Sequence, residues 1–149
     1  MPAEPGDVLE LDEIWTFVGS KENRIWIWIA LCRRTRQVVA WMWGDHSTGS
    51  CRQLRYKIPP EYQDCFCYAD AWPTYAQVFP NHRLHQQEIK GPTNHLERFN
   101  LTLRQRLPRL IRKALSFSKC LKMHLICLRR FFMRYNLDQA ARYLKSIPK

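Results

Sequence analysis

Val8-Leu9-Glu10-Leu11-Asp12-Glu13-Ile14-Trp15 reads as a β-strand interrupted by acids. Acids in an apolar strand are costly unless they meet something positive. Alternation places Glu10, Asp12 and Ile14 on one face, and Leu11, Glu13 and Trp15 on the other. A second acid, Asp70, ends the apolar run Cys65-Phe66-Cys67-Tyr68-Ala69, just before Ala71-Trp72-Pro73 turns the chain. A third, Glu97, lies in the first turn of a predicted helix that then becomes strongly basic. Divalent cations and a polyanion-binding face are the counterparts this pattern asks for.

Outward from this strand, the first half reads as more strands. A turn at Gly19–Asn23 follows Val8–Val18. Ile25–Cys32 is apolar on both faces, as in a central strand. Arg33-Arg34-Thr35-Arg36 makes a tight connection to Gln37–Trp43, so the three runs predict an antiparallel meander. Asp45, Ser47 or Thr48 caps a helix through about Lys57. Cys65–Ala69 is a fourth strand, reached by a helical crossover and therefore parallel to its neighbour. Pro73 opens a short helix to Val78, and His82–His85 is a short fifth strand, with Gln86–Pro92 a loop. Helix resumes from Asn94 to about Leu107, where Pro108 breaks it. A last helix spans Ser118–Tyr135, with an apolar stripe of Leu121, Leu125, Leu128, Phe132 and Tyr135, and a short one follows Asp138. The order β-β-β-α-β-α-β-α is that of the ribonuclease-H-like α/β fold: a mixed sheet, three strands antiparallel and the rest parallel, flanked by helices.

The chain has 149 residues with 46% hydrophobic content, which suits one domain over residues 1–149 with basic helices from about residue 93 and no separate DNA-recognition domain. The longest apolar run, Ile25–Cys32, is too short to span a bilayer, and no signal peptide precedes it. Six cysteines without framework spacing read as reduced, in cytoplasm. The net charge of +11 is uneven. Residues 1–90 carry 10 Lys/Arg against 11 Asp/Glu, whereas residues 91–149 carry 14 against 2. Such asymmetry points to DNA or RNA rather than to a solvated surface, which usually mixes signs.

Asp12, Asp70 and Glu97 suit two-metal phosphoryl transfer. Two Mg²⁺ or Mn²⁺ ions about 4 Å apart clamp the attacking and leaving oxygens, and one carboxylate bridges them. Asp12 is the natural bridge, although the residues alone leave Glu13 open in its place. Asp70 equally suits a cap on the following turn, and Asn94-x-x-Glu97 a capping box with Asn94 as N-cap. Arg98, Asn100, Thr102, Arg104, Arg106, Arg109, Arg112 and Lys113 are the expected DNA contacts around Glu97. Trp72 reads as a core aromatic beneath the site, with stacking on an unpaired base as the alternative, and the other five tryptophans read as core. Cys65-x-Cys67 with His82-x-x-His85 is a weaker, structural-zinc alternative. A ribonuclease-H-like nuclease or resolvase and a non-catalytic DNA-binding regulator are the rival functions.

Three ordered motifs carry a resemblance: Leu11-Asp12-Glu13-Ile14-Trp15-x-x-Val18-Gly19, Tyr68-Ala69-Asp70-Ala71-Trp72-Pro73-x-Tyr75 and Leu96-Glu97-Arg98-Phe99-Asn100-Leu101-Thr102-Leu103-Arg104. With Ser116-Phe117-Ser118-Lys119, they resemble the catalytic, InsB-type half of bacterial insertion-sequence DDE transposases of the first-described family, over about Leu9–Tyr135. The resemblance implies metal-dependent cleavage at element ends and strand transfer into target DNA. It places the triad on Asp12, Asp70 and Glu97, and so selects Asp12 over Glu13. It implies two Mg²⁺ or Mn²⁺ ions, double-stranded DNA (element ends and target) as substrate, a homo-oligomer on DNA, and a cytoplasmic, nucleoid-associated location without a membrane partner. The family usually has glycine where this chain has Ala71, often has Tyr-Thr-Gln-Arg where this chain has Pro92-Thr93-Asn94-His95, and tends to continue its helix through the position of Pro108. Full members carry an N-terminal zinc-binding and helix-turn-helix segment. This sequence begins almost at the first strand, so a fused or separate recognition segment is an expected partner.

Overall fold

The computed structural model describes residues 1–87, 94–107 and 119–147. Three strands, β1 (Val8–Val18), β2 (Ser20–Cys32) and β3 (Val38–Gly44), form an antiparallel meander. Helix α1 (Thr48–Lys57) crosses to β4 (Phe66–Asp70), which pairs parallel with β1, and α2 (Pro73–Val78) leads through a 3₁₀ turn (Asn81–Arg83) to β5 (Leu84–Gln87), parallel to β4. Helices α3 (Asn94–Arg106) and α4 (Leu121–Ser146) follow. The sheet order is β3-β2-β1-β4-β5, so β1 is central. This is the mixed, ribonuclease-H-like α/β arrangement expected from the element order.

Two cores sandwich the sheet. Leu9, Leu11, Trp28, Ala30, Cys67 and Ala69 pack with Cys51 and Leu54 of α1 and Tyr75 and Val78 of α2. On the opposite face, Ile14, Ile27, Ile29 and Leu31 pack against Leu96, Phe99 and Leu103 of α3 and Leu128, Phe132 and Tyr135 of α4. Of the stripe expected on α4, Leu128, Phe132 and Tyr135 are buried and Leu125 is partly so, whereas Leu121 stands outside this core. Of the tryptophans, Trp28 is fully buried, but Trp43, on edge strand β3, is 43% exposed, contrary to the core placement expected for it.

Three element boundaries differ from expectation. The β1–β2 turn is tighter, because Gly19 takes a φ of +77°, and β2 begins at Ser20. The fifth strand starts at Leu84 and runs through Gln86 and Gln87, where backbone pairing with Ala69 and Asp70 continues although the side chains are polar. Helix α4 is continuous for 26 residues rather than broken after Tyr135. The Asn136 side chain does not cap its own helix. Its Nδ2 donates to the Val38 carbonyl and its Oδ1 accepts the Val38 N–H, both at 2.8 Å, which blunts the β3 edge.

The seat of α3 is a buried acid. Glu10 is 0% exposed; its Oε1 accepts from Arg33 Nε at 2.8 Å, and its Oε2 accepts the backbone N–H groups of His95 and Leu96 at 3.1 and 2.8 Å. Asn94 is therefore the first residue of the helix, and a carboxylate from another element takes two amides at that end. Glu10→Ala should cost about 3–5 kcal/mol in equilibrium urea denaturation, since it removes the buried carboxylate that Arg33 and two helix amides share, whereas exposed Glu22→Ala should change little. Equal effects of the two substitutions would show that Glu10 does not hold α3.

Candidate active site

Two residues beyond Glu10 on the same strand face, Asp12 meets α3 again. Its Oδ2 accepts from Asn100 Nδ2 at 2.6 Å and its Oδ1 from the Glu13 N–H at 2.9 Å. Asn100 is buried, and its Oδ1 has no hydrogen-bond partner among the described residues. It orients Asp12 and does not lie on the surface, where a DNA contact was expected. Burial foremost, then the neighbouring charge of Glu13, and more weakly that of Asp70, push the Asp12 carboxyl up to about 7.

Asp70 comes to the same face from β4. Glu10 pairs with Tyr68 across the parallel β1–β4 ladder, and two residues on along each strand stand Asp12 and Asp70. The same register that buries Leu9 and Leu11 with Cys67 and Ala69 turns Asp12 and Asp70 the other way. Asp70 Oδ1 accepts the Trp72 N–H at 3.0 Å, so it also stabilises the turn; its Oδ2 makes no hydrogen bond among the described residues. Glu97 is half-buried, three residues before Asn100 on α3 and hence on the same side of that helix. It makes no hydrogen bond or ion pair among the described residues.

Glu13 lies on the opposite face, in an aromatic setting that sequence reading missed. Its Oε1 is 3.0 Å from His46 Nε2, and its Oε2 accepts from the Tyr75 hydroxyl. The His46 ring is sandwiched between Trp26 and Trp72, at centroid distances of 3.9 and 3.8 Å. Trp72 thus packs from the Asp70 turn onto Trp28 and Tyr75, as the core reading expected. Burial raises the Glu13 carboxyl above its ordinary range, against the two hydrogen bonds. The sequence signal for this pocket was alternation alone, which assigned Glu13 to that face without saying what it would meet there.

The expected DNA contacts divide between the two flanks of α3, because successive residues turn by about 100°. Arg104 lies seven residues after Glu97, on its side. Arg98, Thr102 and Arg106 face α4 and line a cavity with Tyr135 and Arg142. Thr102 Oγ1 donates to the Arg98 carbonyl of its own helix. Arg109, Arg112 and Lys113 lie outside the described residues. Among the described residues, no three His, Cys, Asp or Glu side chains are gathered closely enough to hold a metal ion, and this applies to Asp12, Asp70 and Glu97 as it does to Cys65, Cys67, His82 and His85. The Cys65, Cys67, His82 and His85 alternative therefore gains nothing: Cys67 belongs to the α1–α2 core, while the His85 ring packs against Tyr68. No helix among the described residues is long and apolar enough to cross a membrane.

A sequence profile of the IS1 transposase family matches residues 8–137. The chain belongs to the IS1 transposase family. It is 36% identical over 119 residues to the insertion element iso-IS1n protein InsB of Shigella dysenteriae, an alignment that covers 78% of this chain and 87% of that protein. It is 37% identical over 125 residues to the insertion element IS1 4 protein InsB of Escherichia coli strain K12, covering 81% and 73%. The match spans β1 through the turn of α4 that carries Asn136, so the carboxylate face of this IS1-family transposase lies wholly within it.

The raised Asp12 carboxyl has a measurable consequence. A carboxylate whose folded value exceeds its unfolded one binds its proton more tightly in the folded state, so it favours folding at low pH and loses that contribution as pH rises from about 4 to about 7. The metal-free protein should therefore lose melting temperature across that window, and Asp12→Asn should flatten the loss. Parallel profiles for the two proteins would show that Asp12 is not the titrating group.

Proposed function

We propose that Asp12, Asp70 and Glu97 form the catalytic triad with which this transposase cuts the ends of a mobile element and joins them to target DNA. The observation that carries the reading is Asp12 beside Asp70: two carboxylates on neighbouring parallel strands, sharing a face, the first driven up by burial and by nearby negative charge. A carboxyl raised in this way would gain from a cation set beside it. In donor type the three acids suit a hard divalent ion, Mg²⁺ or Mn²⁺, which takes carboxylate oxygens and would have to draw them closer together than they stand, and Asp70 Oδ2 and Glu97 have no protein partner among the described residues to give up. Asp12, Asp70 and Glu97 would hold the two ions, Asp12 as the carboxylate common to both. When bound, two such ions supply Lewis acidity at the attacking and leaving oxygens. Glu13 is not assigned a ligand role, since both its oxygens are engaged by His46 and Tyr75.

The other residues of this face position rather than react. Asn100 holds the Asp12 carboxylate, and Arg104, on the Glu97 side of α3, is placed to hold a phosphate beside it. In the first step a water attacks phosphorus at an element end, the P–O3′ bond breaks, and a 3′-hydroxyl is freed. In the second, that hydroxyl attacks a target phosphodiester, whose own 3′-oxygen leaves as a hydroxyl. Bringing two ends to one target asks for more than one copy, so the acting form is a homo-oligomer on double-stranded DNA.

The test uses short duplexes with Mg²⁺ or Mn²⁺. The wild type should yield nicked and joined strands, and Asp70→Asn neither, with DNA affinity unchanged or raised. Joining retained in Asp70→Asn sinks the assignment, and nicking without joining by the wild type points to a nuclease or resolvase. Asn100→Ala should slow joining by about 10–100-fold, as loss of a residue that orients a ligand does, without changing duplex affinity.

A further inference from the structure

On the flank of α3 that faces away from Asp12, a cavity of about 260 Å³ lies between α3, α4 and the β2–β3 turn. It is smaller than a typical site for an organic ligand, about 300–1,000 Å³. Its wall holds four guanidinium groups, Arg36, Arg98, Arg106 and Arg142, and one acid, Asp138. Asp138 is drawn outward to Arg134, 3.4 Å away. None of the four arginine side chains makes a hydrogen bond or ion pair among the described residues. Arg36 Nη1 is fully buried and has no hydrogen-bond partner among the described residues. Its backbone is also unusual: at φ +60°, Arg36 is the only non-glycine residue with positive φ among those described. Like charges gathered around a buried, unpaired N–H destabilise the fold unless an anion fills the space between them. Burial lowers the Arg36 guanidinium, opposed by the charge of Glu10 and reinforced by that of Arg98, and burial and then the charge of Arg36 lower His95, opposed by Glu10.

We infer that this cavity is a second DNA-binding site, in which Arg36 and Arg142 join Arg98 and Arg106 to take one backbone phosphate at a distance from the carboxylate face. The chemistry recognised is a phosphate group, which planar guanidinium forks match in charge and geometry. The source assigned is DNA, because the cavity, Arg36 apart, is walled by the half of the chain that carries 14 Lys/Arg against 2 Asp/Glu, and because Arg98, Arg106 and Arg142 are exposed at its mouth. This assignment rests on the transposase reading. The helix diameter, about 10 Å, separates the pocket from Asp12 and Glu97. The phosphate held here is therefore not the one that reacts.

The test pairs Arg142→Gln with Arg36→Asn; asparagine tolerates the left-handed backbone of that position. Without anions, neither variant should melt below the wild type, since each removes repulsion; a fall in both would mean that the arginines are structural and would overturn the proposal. Duplex affinity should fall about tenfold for related and unrelated sequences alike, and the slope of log affinity against log salt should become shallower by about 0.9, the mark of one lost phosphate contact. Unchanged affinity and slope in both variants overturn the pocket. In that case, strand joining by the wild type that Asp70→Asn abolishes leaves the transposase reading standing. Inorganic phosphate separates the sources. If it raises the melting temperature of the wild type and not of the variants while DNA binding is the same in all three, the pocket serves a free anion and the DNA assignment fails.

Discussion

Everything on the carboxylate face depends on the buried Glu10 carboxylate. It joins β1, the β2–β3 connection through Arg33, and the first turn of α3 through two backbone amides. A carboxylate with no exposure needs all of these partners, so the helix cannot slide along the strand without breaking them. The next contact repeats the step. From Leu96 to Asn100 the helix advances four residues, about 6 Å. From Glu10 to Asp12 the strand advances two, about 6.6 Å. The two rises nearly match, so seating Leu96 on Glu10 delivers the Asn100 amide to Asp12, and Glu97 comes with it on the same side of the helix.

Asp12 and Glu13 are neighbours in the chain with opposite surroundings. Asp12 looks towards α3, where one amide group and one backbone N–H are its partners. Glu13 looks towards α1 and α2, into a box made by His46, Tyr75 and two tryptophans. The charge of Glu13 makes Asp12 harder to ionise, and the charge of Asp70 does the same to Glu13. The aromatic box ties the turn after Asp70 to β1, because Trp72 stacks on the histidine that bonds Glu13. The inner acid thereby helps set where the outer pair stands.

The basic half of the chain is not one surface. α3 carries cations on both flanks, with Arg104 on the side of Glu97 and Arg98 and Arg106 turned towards α4. A positive stripe in sequence becomes two separate fields once it is wound on a helix that has one flank against the sheet's acidic edge and the other against a second basic helix. A linear charge count sees the sum of these and not the division.

Strand order, the parallel return of β4, the apolar stripe of α4 and the three acids were all legible in the amino-acid sequence, because they follow from periodicity, turn residues and the cost of acids in apolar runs, which are local. Family membership was legible for the same reason, in three short motifs. The extension of β5 through Gln86 and Gln87 was not, since an edge strand is held by backbone pairing that polar side chains do not reveal. Nor was the continuity of α4 past Asn136, an apparent stop whose amide is spent on Val38 of a strand nearly a hundred residues earlier. The role of Glu10 was hidden because its partners arrive from the β2–β3 connection and from α3. Local patterning was enough to say which residues could be strand, helix or ligand. The tertiary structure alone decided that Asn100 is a buried support for Asp12, that Glu13 is enclosed, and that Arg36 meets Arg98, because these depend on contacts between segments far apart in the chain.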